Sequence, residues 1–189
     1  MTLTYYLYED DPPQENEKGA LVWKQGYFAF GTQERIANIT AIKFITKDII
    51  VVAHRAVAKL YLIRIEDDFC EIIHSLELKK KNKFYHPDGM DLHEGKLYIT
   101  TFTSVCPIVE ILDNTELRFK SVLEVKKTWM PYHGIYTGAE GFFFGGCAPF
   151  NKNETCIDYI KSNQTIRFNS GYNRRIKGID MMDKNRMLV

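Results

Sequence analysis

"FYHPDGMDLHEGKLYITTF", residues 84–102, packs two turn signals and two short strands into one stretch. His86-Pro87-Asp88-Gly89 marks the first turn and His93-Glu94-Gly95 the second. Each is followed by apolar residues of the type that fills strands. Such a hairpin belongs either to an ordinary sheet or to a unit that recurs. Three other stretches fit its frame. "GMDLHEGKLYI" (89–99) aligns with "AIKFITKDIIV" (41–51), "GIYTGAEGFFF" (134–144) and "GIDMMDKNRML" (178–188). Each opens on a small residue followed by a large apolar one: Ala41-Ile42, Gly89-Met90, Gly134-Ile135 and Gly178-Ile179. The small residues are spaced by 48, 45 and 44 positions, the self-similarity expected of repeated supersecondary units.

Within one period, turn residues and alternation mark four strands. The first unit reads "TAIKFI", "DIIVVAH", "KLYLIRI" and "CEIIHSLEL"; the second "GMDL", "GKLYITTF", "PIVEIL" and "RFKSVLEV"; the third "GIYT", "GFFFGG", "CIDYI" and "QTIRF". Four antiparallel strands in some forty residues is the composition of a β-propeller blade. The expected fold is therefore all-β: a propeller-like array of four-stranded blades forming an incomplete or truncated ring. Blades are expected at about 38–84, 85–130 and 131–172, with a further one starting at 173–189. Residues 1–37 would supply outer strands ("TYYLYED", "ALVWKQGYFAFG") and an exposed loop ("EDDPPQENEKG") of a partial blade. A β-sandwich with accidentally similar hairpins is the competing architecture.

The 25 Lys and Arg residues are offset by 24 Asp and Glu, so net charge gives no general attraction to nucleic acid or anionic membrane. No apolar run is long enough to span a bilayer, and the N-terminus carries no secretory signal pattern. Cys70, Cys106, Cys147 and Cys156 are too scattered for a disulfide framework, and no C-x-x-C pair suggests zinc. These features imply a cytoplasmic protein with reduced thiols.

The residues "HPDGMDLHEGKLYITTFTSVCPIVEIL" (86–112) resemble blades of the regucalcin/gluconolactonase group and, more loosely, NHL-type propellers. The shared pattern is Pro-Asp-Gly-apolar, a polar turn with Gly, then a Leu-Tyr-Ile strand. The resemblance implies that Asp88 lies at the central channel, binds a divalent cation and serves as general base for lactone hydrolysis. Ca²⁺, Mg²⁺, Mn²⁺ or Zn²⁺ would be the cofactor; hard cations take such oxygen ligands and acidify bound water. The family's Asn ligand, however, falls on Thr40, and its Glu ligand has no clear counterpart, Glu34 and Glu15 being arbitrary choices. The positions equivalent to Asp88 in the next units are His133 and Lys177. Thr40, Asp88, His133 and Lys177, with His86 nearby, read as a polar channel lining; Asp88 and His133 are the candidate metal ligands.

Each candidate has a plainer explanation. Asp88 would accept hydrogen bonds from its own turn. His54, His74, His86, His93 and His133 would be structural. "KKKNK" (79–83) would be a solvated loop, against a role in holding an anionic partner. The N-terminal aromatics (Tyr5, Tyr6, Tyr8, Trp23, Tyr27, Phe28, Phe30) would be core. In "EGFFFGGCAPF" (140–150), the minority readings put Cys147 near the channel mouth with His133 as its only plausible base, or facing Cys156 across a hairpin. The preferred function is a binding or interaction module for a protein or a small polar ligand, with self-association through open blade edges. The alternative is a divalent-metal-dependent hydrolase of lactonase type. Neither membrane nor nucleic acid is expected as partner.

Overall fold

The computed structural model describes residues 3–7, 14–15, 21–22, 26–30, 34–36, 38–66, 69–101, 103, 105–125, 132–138, 141–147, 155–161, 164–169, 179–183 and 186–188. Every regular element among them is a β-strand.

Three four-stranded antiparallel meanders follow one another. The first contains Ile39–Phe44, Ile49–His54, Lys59–Glu66 and Phe69–Glu77. The second contains Pro87–His93, Lys96–Thr101, Val105–Leu112 and Glu116–Glu124. The third contains Tyr132–Gly138, Gly141–Cys147, Thr155–Lys161 and Gln164–Asn169. In each sheet the strands pair in chain order. Asp180–Asp183 and Arg186–Leu188 form a further hairpin, and Leu3–Leu7, Gly26–Phe30 and Glu34–Ile36 a three-stranded sheet. Gln14–Glu15 pairs with Leu21–Val22, so part of "EDDPPQENEKG" is a short ladder rather than loop; the remainder of that stretch lies outside the described residues.

The first strand of the second sheet packs between the first strands of the first and third sheets. First strands are thus the inner ones, and among the described residues they follow one another along an arc that does not close into a ring. The sheets stack face to face, which explains the unbroken apolar runs. Leu60 and Leu62 face one way and Tyr61 and Ile63 the other, yet all four are buried. Val51, Leu60, Leu62, Met90, Leu97, Ile99 and Val109 fill the core between the first and second sheets. Cys106, Ile135 and Phe144, flanked by Tyr98 and Phe142, fill that between the second and third. Tyr98 and Phe142 meet with centroids 5.1 Å apart. Removing each such side chain from water contributes on the order of 1.5–3 kcal/mol.

Tight turns end the strands where the sequence supplies residues able to adopt positive φ. Glu94-Gly95 (φ 49° and 69°) closes the first hairpin of the second sheet, and Asp113-Asn114 (46° and 57°) closes its last. The first is the two-residue loop that matches strand twist; the second is a three-residue loop, since Leu112 pairs with Glu116.

Candidate functional site

The three positions aligned as channel residues share one backbone feature. In the first sheet Ile39 pairs with His54 and Ala41 with Ala53, leaving Thr40 as an extra residue. In the second, Pro87 pairs with Thr101 and Met90 with Ile99, so Asp88 and Gly89 together oppose Thr100. In the third, Tyr132 pairs with Gly146 and Gly134 with Gly145, leaving His133 extra. Each inner strand therefore carries a β-bulge just before its small residue. A bulge breaks the alternation and re-aims the side chain it contains. His133 lies on its strand, but its side chain is outside the described set, and Lys177 lies outside the described residues altogether.

Around the first two bulges the contacts cross from sheet to sheet. Thr40 Oγ1 donates to the Pro87 carbonyl at 3.0 Å. The Gly89 amide donates to Thr100 Oγ1 at 2.7 Å. Asp88 is buried, and its carboxylate sits 3.6 Å from Arg55 Nη1. His86 is exposed; its Nδ1 lies 2.8 Å from the Arg55 carbonyl, which can only accept, so Nδ1 carries the proton. Thr40, Arg55, His86 and Asp88 thus meet at one end of the first two sheets.

Among the described residues the surroundings of Asp88 offer a cation rather than further acidic ligands. Among the described residues no group of three or more His, Cys, Asp or Glu gathers as a ligand cluster. The charge facing Asp88 is a guanidinium, which occupies the electrostatic role a metal would take. No hydrolytic step follows from this arrangement.

A second cross-sheet junction escaped the sequence reading. Asp91 is buried. Its Oδ2 accepts the Thr137 amide at 2.6 Å and the Thr137 hydroxyl at 3.0 Å, and its Oδ1 pairs with the Lys43 ammonium. Lys43, Asp91 and Thr137 come from the three inner strands, so one carboxylate ties three consecutive sheets. A signal existed: Lys43 and Asp91 occupy the same position of the repeat frame, two after Ala41 and Gly89, with opposite charges.

His74, His54 and three cysteines lie away from this junction. His74, on the outermost strand of the first sheet, accepts the Leu117 amide of the second sheet at Nδ1, 3.2 Å away. His54 ends its strand buried, its ring 6.2 Å from that of Tyr61, and its Nδ1 has no hydrogen-bond partner among the described residues. Burial, with Lys59 nearby, holds its pKa below the usual imidazole value. Cys70, Cys106 and Cys156 are buried and form no disulfide among the described residues. Burial pushes the Cys106 thiol up to about 12. The expected Cys147–Cys156 facing pair is not formed: Cys156 stands opposite Gly146, and Cys147 opposite Thr155, because the hairpin register is offset by one.

No protein-family model matches the chain, and no curated protein matches it by sequence. Solved structures do match. The computationally designed Ika4 protein superposes with a TM-score of 0.50 at 10% identity, over 82% of this chain and 85% of that one. The β-propeller domain of Myceliophteria thermophila Cps50 (Swd1) superposes with a TM-score of 0.50 at 14% identity, over 85% of this chain and 57% of that one. The fold is that of a β-propeller. The WD40 domain of Toxoplasma gondii coronin also matches, at 11% identity over 77% of this chain and 41% of that one, with a TM-score of 0.45. The chain therefore spans about half the length of the natural propellers it matches. At these identities the likeness concerns the fold and leaves the regucalcin/gluconolactonase resemblance as a pattern of residues 86–112.

Proposed function

We propose that the chain is a propeller interaction module that holds a partner protein on the end of its blades where Thr40, Arg55, His86 and Asp88 converge. The observation that carries this reading is the row of bulges on the inner strands. Polar residues that differ from blade to blade (Thr40, Asp88, His133) occupy equivalent places on a common scaffold. A rigid scaffold with variable polar positions suits recognition, because it presents donors and acceptors without an ordering cost on binding. Lys177 holds the corresponding place in the fourth repeat of the sequence. The blades correspond to residues 38–84, 85–130 and 131–172, with a further one beginning in 173–189. A reducing cytoplasmic setting suits three buried cysteines outside any disulfide among the described residues.

The array also exposes large apolar side chains at both ends: Ile42 and Phe44 on the first sheet, Ile166 and Phe168 on the third. Such faces favour association with a second copy. Sedimentation velocity is expected to show a concentration-dependent oligomer that Phe44→Lys with Phe168→Lys reduces to monomer; a monomer at all concentrations would remove self-association.

The module reading is tested by affinity capture of the full chain from cells, with cross-linking and quantitation. The expected result is a partner recovered in stoichiometric amount and lost or reduced in the Arg55→Glu, His86→Ala double variant. Recovery of nothing above background would sink the reading.

A further inference from the structure

The antiparallel meander fixes which loops share an end of the molecule. Turns between second and third strands lie at the same end as connections from each fourth strand to the next inner strand. Hydrogen bonds confirm this: the Leu78 amide donates to the Ala58 carbonyl at 2.7 Å, and His86 reaches Arg55. The connection from the first sheet to the second is itself a small hairpin, in which Lys79 pairs with Phe84 and Lys80 with Lys83. Lys81, at φ 55°, makes its turn. All residues from 79 to 84 are exposed, whereas the flanking Leu78 and Tyr85 are buried and bonded to each other, Tyr85 N to Leu78 O at 2.8 Å. The hairpin is thus anchored at its base and projects four ammonium groups into solvent.

Among the described residues no carboxylate lies within ion-pair distance of Lys79, Lys80, Lys81 or Lys83. Glu77 stands opposite Lys59 in the ladder, and Asp88 is buried beside Arg55. Among the described residues the opposite end has the reverse balance, with Asp48, Glu66, Glu94, Asp113 and Glu116 in its turns and strand ends against Lys47, Lys96 and Lys161. In a chain of net charge +1, the charges of the described residues thus separate toward opposite ends.

Two features distinguish the hairpin from a merely solvated basic loop. Phe84 is 45% exposed, and Lys79 Nζ stands 4.7 Å from its ring centroid, so an apolar surface lies directly beside the charges. The two-stranded ladder also leaves its outer edges without a strand partner among the described residues. In such a ladder the residues that do not exchange bonds across it, here Lys79 and Phe84, direct their amides and carbonyls outward.

We propose that this hairpin, with the adjoining Arg55–Ala58 turn and its exposed Val57, is the docking site for an acidic, extended segment of a partner protein. The segment adds along the hairpin edge, its carboxylates meet the lysines and an apolar side chain covers Phe84. Main-chain pairing supplies affinity, and the alternate side chains supply selectivity. A lipid surface or a nucleic acid satisfies the charges but has no backbone for the edge. The site rests on the interaction-module reading above and specifies its partner.

The probe is a fluorescein-labelled peptide of alternating Glu and Val, followed by fluorescence anisotropy on the full chain at low and physiological salt. A peptide of alternating Lys and Val, anionic phosphatidylserine vesicles and a single-stranded RNA serve as comparisons. The acidic peptide is expected to bind best. Lys80→Glu with Lys83→Glu is expected to weaken it about tenfold or more, Phe84→Ala to weaken it severalfold, and Glu94→Lys at the opposite end to leave it unchanged. Unaltered far-ultraviolet circular dichroism shows that the exposed substitutions leave the fold intact. Tighter binding to vesicles or RNA, or equal peptide binding by all variants, overturns the proposal. If the partner captured from cells is retained by the hairpin variant, the docking site is wrong while the module reading stands. If neither form captures a partner, the module reading itself fails.

Discussion

Replacing Asp91 by Ala removes, in one step, the acceptor for the Thr137 amide and hydroxyl and the counter-charge of Lys43. A buried donor left without its partner costs its full desolvation penalty, so Asp91→Ala is expected to lose about 3 kcal/mol in urea denaturation. Asp91→Asn, which keeps a carbonyl oxygen, is expected to lose less. His54 sets a pH dependence. Its pKa is depressed in the folded chain, by burial first and Lys59 second, from an ordinary value of 6.5. The unfolded chain takes up this proton first as pH falls. Above 6.5 both states are neutral and the group contributes nothing; as pH falls through 6.5 stability declines. Comparing denaturation midpoints on either side of that value in the native chain and in His54→Gln checks this: the variant should show a shallower acid loss. Glu110 acts lower on the scale. Hydrogen bonds from Lys120 and Arg118 hold its pKa at about 2, so its stabilising share is full above 4.5 and disappears as pH falls through about 2. None of these three roles was legible from residue type. The five histidines look alike in sequence, and burial, which separates His54 from the exposed His86, is a property of the stacked sheets.

At the scale of the strand and turn the sequence is far more explicit. Alternation and the Gly, Asn and Asp turn residues located the twelve strands of the three sheets, because strand period and turn φ are local properties. Gly141 is a test of that locality. Its φ is +142°, and a Cβ there would come 2.6 Å from the Ile160 carbonyl of the neighbouring strand. Gly141→Ala combines backbone strain with a clash against main chain, and is expected to destabilise by about 1–3 kcal/mol, read from a lower urea midpoint. Gly95→Ala meets nothing within 4 Å and bears only the cost of its φ of +69°, so its effect should be smaller. The bulges were legible only indirectly. The small residue that opens each repeat marks their place, but the extra residue before it becomes visible only when the partner strand fixes the register. The offset of Cys147 from Cys156 has the same origin.

For the whole molecule, stability is distributed over interfaces between neighbouring sheets, as in other repeat architectures. Leu97 is fully buried in the core shared by the first two sheets. Leu97→Ala is expected to cost about 2–5 kcal/mol, with the loss concentrated there. Hydrogen exchange should therefore accelerate in residues 39–124 more than in 132–169; uniform acceleration would mean that the sheets unfold as one unit.

By itself the sequence determined the strands, their order and the recurrence of a four-stranded unit, since these follow from side-chain alternation, turn chemistry and spacing along the chain. Only the tertiary structure decided which charges meet. Lys43, Asp91 and Thr137 are brought together because the inner strands lie side by side. Asp88 faces Arg55 rather than a cluster of carboxylates because its bulge turns toward the neighbouring sheet's loop. Pairings of this kind depend on the stagger and stacking of sheets distant in sequence, which the shared repeat position of Lys43 and Asp91 does not by itself fix.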